Sequence, residues 1–283
     1  MKLCNSENID RSAWDACIKQ AINGKPYALS GWLDAVCSSW HGIIIGDYEA
    51  VMPVPVRQFL WMKKVVQPPF TQQLGLFFQD PLQARQLPEA IDLVQKNWSK
   101  GYMQMNDMNA PPEARLHSNR KNYKLNFDLH ELSDCSSSHR RNIKKAIKAG
   151  VQLSVTNGTS FIQEFSQYNP AYNSDIRKHR RALDHLVRFT ENTGIGKAVV
   201  ATVAGQMVAG VYFSFFQGTA YYLLPYTTPA GRDIGAMHYL IVNLRDIIDD
   251  ILYLDFEGSE IPGVETFILG FNAMLHPYPA IKW

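Results

Sequence analysis

The chain has 283 residues, 46% hydrophobic and 19% charged, a composition that excludes intrinsic disorder and leaves material for two compact cores. No run reaches the roughly 18 apolar residues that cross a membrane, and the start MKLCNSENIDRSAWDAC lacks the basic-then-apolar order of a secretion signal, so a cytoplasmic protein is expected. A net charge of +2 excludes little, because what matters is where the charges sit.

Cys4, Cys17, Cys37 and Cys135 have neither metal-ligand nor redox spacing and are expected as free thiols. Over residues 9–22 apolar side chains recur at helical spacing behind Asp10, and Ser30 is expected to cap a second helix carrying Trp32, Leu33 and Val36. GIIIGDYEAVMPVPVR predicts a hairpin turning at Gly46 and Asp47, whose second strand carries Pro53 and Pro55. Without their amide donors that strand should be an edge or irregular. KKVVQPPFTQQLGLFFQD reads as a short strand entering a long loop, residues 87–98 as a helix with Pro88 in its first turn, and YMQMNDM and NYKLNFDL as strands.

Residues 136–149 form a predicted helix between serine caps and Gly150, burying Ile143, Ala146 and Ile147, and VQLSVT alternates as a strand. Helices over 161–168 and 176–192 follow. KAVVATV, MVAGVYFSFF and TAYYLLPY, joined by tight turns at Gly205 and Gly218, predict an antiparallel meander. Met237, Leu240, Ile241, Leu244, Ile248 and Ile251 then repeat at helical spacing, and LYLDFEGS is a further strand. The expected class is α+β, with two halves, 1–135 and 136–283, each an antiparallel-rich mixed sheet flanked by helices and meeting near 133–138.

Three segments, RRNIKKAIKAGVQL, GRDIGAMHYL and LDFEGSEIPGVETFILGFNA, resemble the Fem-type transferases of the GNAT superfamily, and QPPFTQQLGLFFQD is similar to a loop in their N-terminal half. The resemblance implies tandem GNAT-like domains and transfer of an acyl or aminoacyl group. Fem-type proteins move amino acids from aminoacyl-tRNA onto peptidoglycan precursors, and GNAT enzymes use acyl-CoA. Arg232, Gly235 and Ala236 match the GNAT turn that meets the coenzyme A pyrophosphate. Met237 stands where that turn has a small residue, and Ile268 where many Fem-type proteins have a lysine.

The residues also suggest a site directly. The glycine-rich turn from Thr227 through Arg232, Gly235 and Ala236 precedes a helix, and a helix start suits an anion. In LYLDFEGS, strand alternation puts Asp255 and Glu257 on the face away from Leu252, Leu254 and Phe256. Paired carboxylates favour a raised pKa on one of them, as a general base for an amine requires. Tyr222 and Tyr226 can supply a phenol to the leaving group. Arg140, Arg141, Lys144, Lys145 and Lys148 form a basic stripe that suits tRNA or another polyanion, and Arg177, Lys178, His179, Arg180 and Arg181 a second cluster near a predicted helix start, where cations oppose the dipole. His139, His179, His185, His238 and His276 read as isolated, and no metal-ligand cluster or Ser/His/Asp arrangement is legible in the sequence.

Taken with the resemblance, these features lead to the expectation of an N-acyltransferase or aminoacyltransferase acting on an amine acceptor held in a groove between the halves. Acyl-CoA or aminoacyl-tRNA is the co-substrate and no tightly bound cofactor is expected. A competing expectation is a catalytically silent protein of the same fold that binds a nucleic acid or an anionic envelope precursor.

Overall fold

The computed structural model describes residues 1–59, 61–168, 170–258 and 262–283; the side chains at 59, 168 and 170–177 are outside the description. The predicted contribution of Arg177, and Ser259, Glu260 and Ile261 of the third Fem-like segment, therefore lie outside the described residues. Contacts divide the chain into two units. The first is Met1–Lys121 with Arg181–Phe189 and His276–Trp283, and the second is Asn122–Arg180 with Thr190–Leu275.

The first unit opens with β1 (Lys2–Asn5), α1 (Arg11–Gln20), α2 (Ser30–Val36), β2 (Trp40–Ile45), β3 (Ala50–Phe59), β4 (Met62–Val65) and β5 (Phe77–Phe78). It continues through α3 (Leu87–Asn97), β6 (Tyr102–Gln104) and β7 (Leu116–Arg120). Asp10 caps α1 by accepting from the amides of Ser12 and Ala13. Ser30 lies inside α2 rather than capping it, and its amide and hydroxyl both donate to Asp15 of α1. The β2–β3 hairpin forms as its turn chemistry predicts, but β3 is internal, with β2 on one side and β5 and β4 on the other. Pro53 and Pro55 fit there because β5 pairs at Ala50–Val51 and β4 only from Val56 on, so the prolines fall between the two partners.

The second unit carries β8 (Tyr123–Asn126), α4 (Ser137–Lys148), β9 (Gln152–Thr156), α5 (Gly158–Tyr168) and the two ends of α6 (Pro170–Asn192). The meander β10 (Gly196–Val203), β11 (Gln206–Phe216) and β12 (Thr219–Thr227) follows. After it come α7 (Pro229–Ile234), α8 (Ala236–Val242), β13 (Tyr253–Asp255), α9 (Pro262–Leu269) and β14 (Met274–Leu275), and the last strand, β15 (Tyr278–Lys282), belongs to the first unit. Seven strands make one sheet in the order β14-β8-β13-β12-β11-β10-β9, antiparallel except where β12 meets β13.

Four further sequence expectations change. β8 was expected in the first half but hydrogen-bonds to β13 and β14, so the units divide at Lys121 and Asn122, and β15 returns to pair between β6 and β7. α6 begins at Pro170, which puts Lys178, His179, Arg180 and Arg181 in mid-helix and removes the opposition to the dipole. The helix expected to run on toward Ile251 stops at Val242, while Leu240, Ile241, Leu244, Ile248 and Ile251 are all buried in one core. Ile147 is 59% exposed, so the buried stripe of α4 is Ile143 and Ala146, joined by His139.

Candidate active site

β12 and β13 pair in parallel only over Thr219–Tyr221 and Tyr253–Asp255. β13 then ends while β12 runs on to Thr227, so the two strands part from Tyr222 onward. A cavity of about 720 Å³ occupies the space beside the continuing strand, closed by α7, α8 and α9. The pairing of β11 and β12 slips between Tyr212 and Phe213, leaving Leu223 as an extra residue on β12. Such a bulge re-aims side chains, and Tyr222 and Leu223 both line the cavity together with Pro225, Tyr226 and Thr227.

Four of the predicted site residues, Tyr222, Tyr226, Arg232 and Glu257, line this one cavity. Glu257 stands beyond the end of β13 in a left-handed backbone (φ 55°), followed by Gly258 with φ 63°. The period-two alternation used to place it therefore stops at Asp255, and Phe256, expected on the opposite face, lines the same cavity as Glu257. Leu252, expected on the apolar face, is 45% exposed. A non-glycine residue held at positive φ costs free energy that its surroundings must offset. Here Asp255 does so: fully buried, it accepts from the Glu257 amide at 2.9 Å and from Asn122 Nδ2 at 3.0 Å, with Lys124 Nζ at 4.0 Å. Asp255 is thus built into the base of the bend and is absent from the lining, whereas Glu257 reaches the cavity.

The glycine turn is used differently from expectation. Gly235 has φ 74°, ends α7 and starts α8, and its amide donates to the Arg232 carbonyl. A Cβ there would stand 2.5 Å from the backbone oxygen of Asn142 on α4, and one at Gly231 would stand 2.1 Å from the Val208 oxygen. Gly235 and Ala236 are buried and outside the lining, so these glycines serve close packing of backbone on backbone. Arg232 is exposed at the cavity and donates to the Thr227 carbonyl at 3.0 Å.

The basic stripe is also partitioned. Arg140 is half-buried and donates to the carbonyls of Ser133 and Cys135, tying down the segment ahead of α4. Arg141, Lys144, Lys145 and Lys148 are exposed, and Lys145 Nζ lies 3.5 Å from the Asp233 carbonyl. His179 is half-buried and Arg180 exposed on α6, and neither lines the cavity.

Sequence reasoning missed the ring cluster behind the cavity. His139 and His238, isolated in sequence, are T-shaped with centroids 4.5 Å apart, and each packs on Phe267 and Phe271. His139 Nε2 meets the Phe267 carbonyl at 2.8 Å and its Nδ1 meets Ser136 Oγ at 3.0 Å. His238 lines the cavity, with Nε2 3.3 Å from Asn142 Nδ2 and Nδ1 buried without a hydrogen-bond partner. Burial, reinforced by the neighbouring His139, pushes the His238 pKa down to about 4, and burial lowers that of His139 as well. Nothing local could have joined two histidines so far apart in sequence; α4 and α8 bring them together by packing on each other. Among the described residues no group of three or more His, Cys, Asp or Glu is placed to hold a metal, and no helix is long and apolar enough to cross a membrane.

A long meander, a parting pair of parallel strands and helices closing the gap define a mixed α/β protein of the Fem-type, tandem GNAT-like fold. The crystal structure of FemX matches with a TM-score of 0.71 over 100% of this chain and 97% of that one, at 11% identity. A conserved protein of unknown function from Bacteroides thetaiotaomicron matches at 0.62, with 15% identity over 97% of both chains. The DUF2156 C-terminal domain of a candidate lysylphosphatidylglycerol synthetase from Agrobacterium fabrum matches at 0.61, with 8% identity over 96% of this chain and 91% of that one. No family profile matches the sequence, and no curated protein matches it.

Proposed function

We propose that the protein is an N-acyltransferase or aminoacyltransferase whose reaction takes place in the cavity between β12, α8 and α9. The observation that carries this reading is Glu257, held by Asp255 in a left-handed bend at the point where β12 and β13 part. An acceptor amine entering there attacks the donor's carbonyl carbon, and Glu257 takes the proton that the nitrogen sheds as the C–N bond forms. The leaving group departs with the bonding pair and receives a proton from the phenol of Tyr222, which is half-buried in the lining; the Tyr226 hydroxyl is buried and its ring packs 5.4 Å from Phe161 of α5, away from the leaving group. Direct attack of this kind needs positioning and a base but no covalent enzyme intermediate.

Arg232 is the part of the predicted 232–236 turn that supports donor binding, since Gly235 and Ala236 are committed to packing. Arg141, Lys144 and Lys148 on α4 are exposed cations suited to a polyanionic carrier such as tRNA. The fold shared with FemX and with a candidate lysylphosphatidylglycerol synthetase supports acyl or aminoacyl transfer as the reaction class.

The test is transfer of a labelled acyl group from acyl-CoA or aminoacyl-tRNA to an amine by the wild type and by Glu257→Gln. Loss of the base should lower turnover about 100- to 10,000-fold while donor affinity is kept. Equal rates for the two proteins would remove Glu257 from the chemistry. The silent-binder reading, which the buried Met237 and Ile268 favour, requires thermal stabilisation by RNA with no transfer from any donor.

A further inference from the structure

We propose that the cavity selects its donor by a bulky apolar acyl group, such as a phenylalanyl, leucyl or medium-chain fatty acyl moiety, and discriminates against glycyl and acetyl. The inference rests on the acyl-transfer reading and specifies the substrate class of that site.

A volume of about 720 Å³ lies in the range of pockets that enclose a whole drug-sized ligand, far more than an acetyl or glycyl group fills. Its walls are Phe256, Phe267, Met237, Ile268, Val264 and Leu223. Phe256 stacks at 5.9 Å on Phe271, and Phe267 stands edge-on to the same ring at 5.1 Å, so the apolar wall is braced from behind. Met237 and Ile268 are 6% and 2% exposed, and they occupy the two positions at which this chain departs from the family pattern. Both departures put apolar surface into this one cavity.

The polar inventory does not suit a phosphate there. Among the described lining residues Arg232 is the only permanent cation, and it is exposed and turned to the Thr227 carbonyl. His238 remains neutral near pH 7. A charged carrier is therefore left outside, toward Arg232, while the acyl chain enters. Apolar walls of this size convert each additional buried methylene into roughly fourfold tighter binding.

Two series of stable donors test this by equilibrium binding to the full chain. One is 3′-amide-linked aminoacyl-adenosines carrying glycine, leucine or phenylalanine, and the other is acetyl-CoA and octanoyl-CoA. Affinity is expected to rise at least tenfold from the smallest to the largest acyl group on the carrier that binds, which also identifies the carrier. Val264 lines the cavity, is 40% exposed and lies in the first turn of α9, where an aspartate is tolerated by the helix dipole. Val264→Asp should keep the melting temperature and reduce that ratio at least fivefold; Val264→Ala, reducing it by a smaller factor, serves if the aspartate unfolds the protein. Glycyl or acetyl donors binding as tightly as phenylalanyl or octanoyl ones would overturn the selectivity and leave acyl transfer standing. Failure of every donor on both carriers to bind would overturn both.

Discussion

At the scale of single residues, the bend at Glu257 depends on one buried carboxylate that does not line the cavity. Asp255 accepts from the Glu257 amide and from Asn122, so Asp255→Ala should destabilise the second unit by about 1–3 kcal/mol, because those donors lose their buried acceptor. Chemical denaturation with a probe in that unit measures it. Turnover should also fall through displacement of Glu257, and Asp255→Asn should recover part of both losses. The histidine pair makes a separate prediction. With its folded pKa near 4 against an ordinary value of 6.5, His238 binds fewer protons folded than unfolded between those pH values. Stability from this residue is complete above pH 6.5 and lost as pH falls toward 4, and His139 acts in the same direction. Melting temperature followed from pH 7.5 to 4.5 should drop for the wild type and drop less for His238→Gln. An equal drop in both would place the acid sensitivity elsewhere.

At the scale of elements, the turn between α7 and α8 has become a packing device. Gly235 supplies a left-handed conformation and lets α4 approach to contact, since a Cβ would stand 2.5 Å from the Asn142 backbone oxygen. Gly235→Ala therefore carries both a backbone and a steric penalty, about 1–3 kcal/mol for the backbone alone, and should lower the melting temperature. Loss of donor binding in a fully stable Gly235→Ala protein would instead return the turn to the role read from its motif. The same close approach seats His139 against His238, so the substitution should also shift the imidazole resonances of both.

For the whole molecule, the chain passes between the two units more than once. Residues 276–283 end in the first unit, where β15 sits between β6 and β7, the Trp283 amide donates to the Gly101 carbonyl and the Trp283 indole to Trp98. Ending the chain at Leu275 leaves two short strands without their shared partner. Thermal unfolding of that truncation should lose the first unit's transition at a lower temperature while the second unit's is retained. A single unchanged transition would show that β15 contributes little.

What the sequence determined by itself was local. The helix caps at Asp10 and Ser136, the Gly46 turn, the β10–β12 meander and the apolar set around Leu240 and Ile251 follow from spacing and turn chemistry within a few residues. The Fem-like segments pointed to the fold, and Tyr222, Tyr226, Arg232 and Glu257 were individually legible as cavity residues. Only the tertiary structure decided what depends on contacts between distant segments. Strand alternation could not foresee the positive φ of Glu257, because the hydrogen bonds that define it involve Asp255 held by Asn122 on another strand's approach. Nor could it pair His139 with His238, assign β8 to the sheet of β13, or turn a glycine motif into a helix contact. Each of these is a matter of which surfaces meet, and that is settled by burial over the whole sheet rather than by the residues on either side.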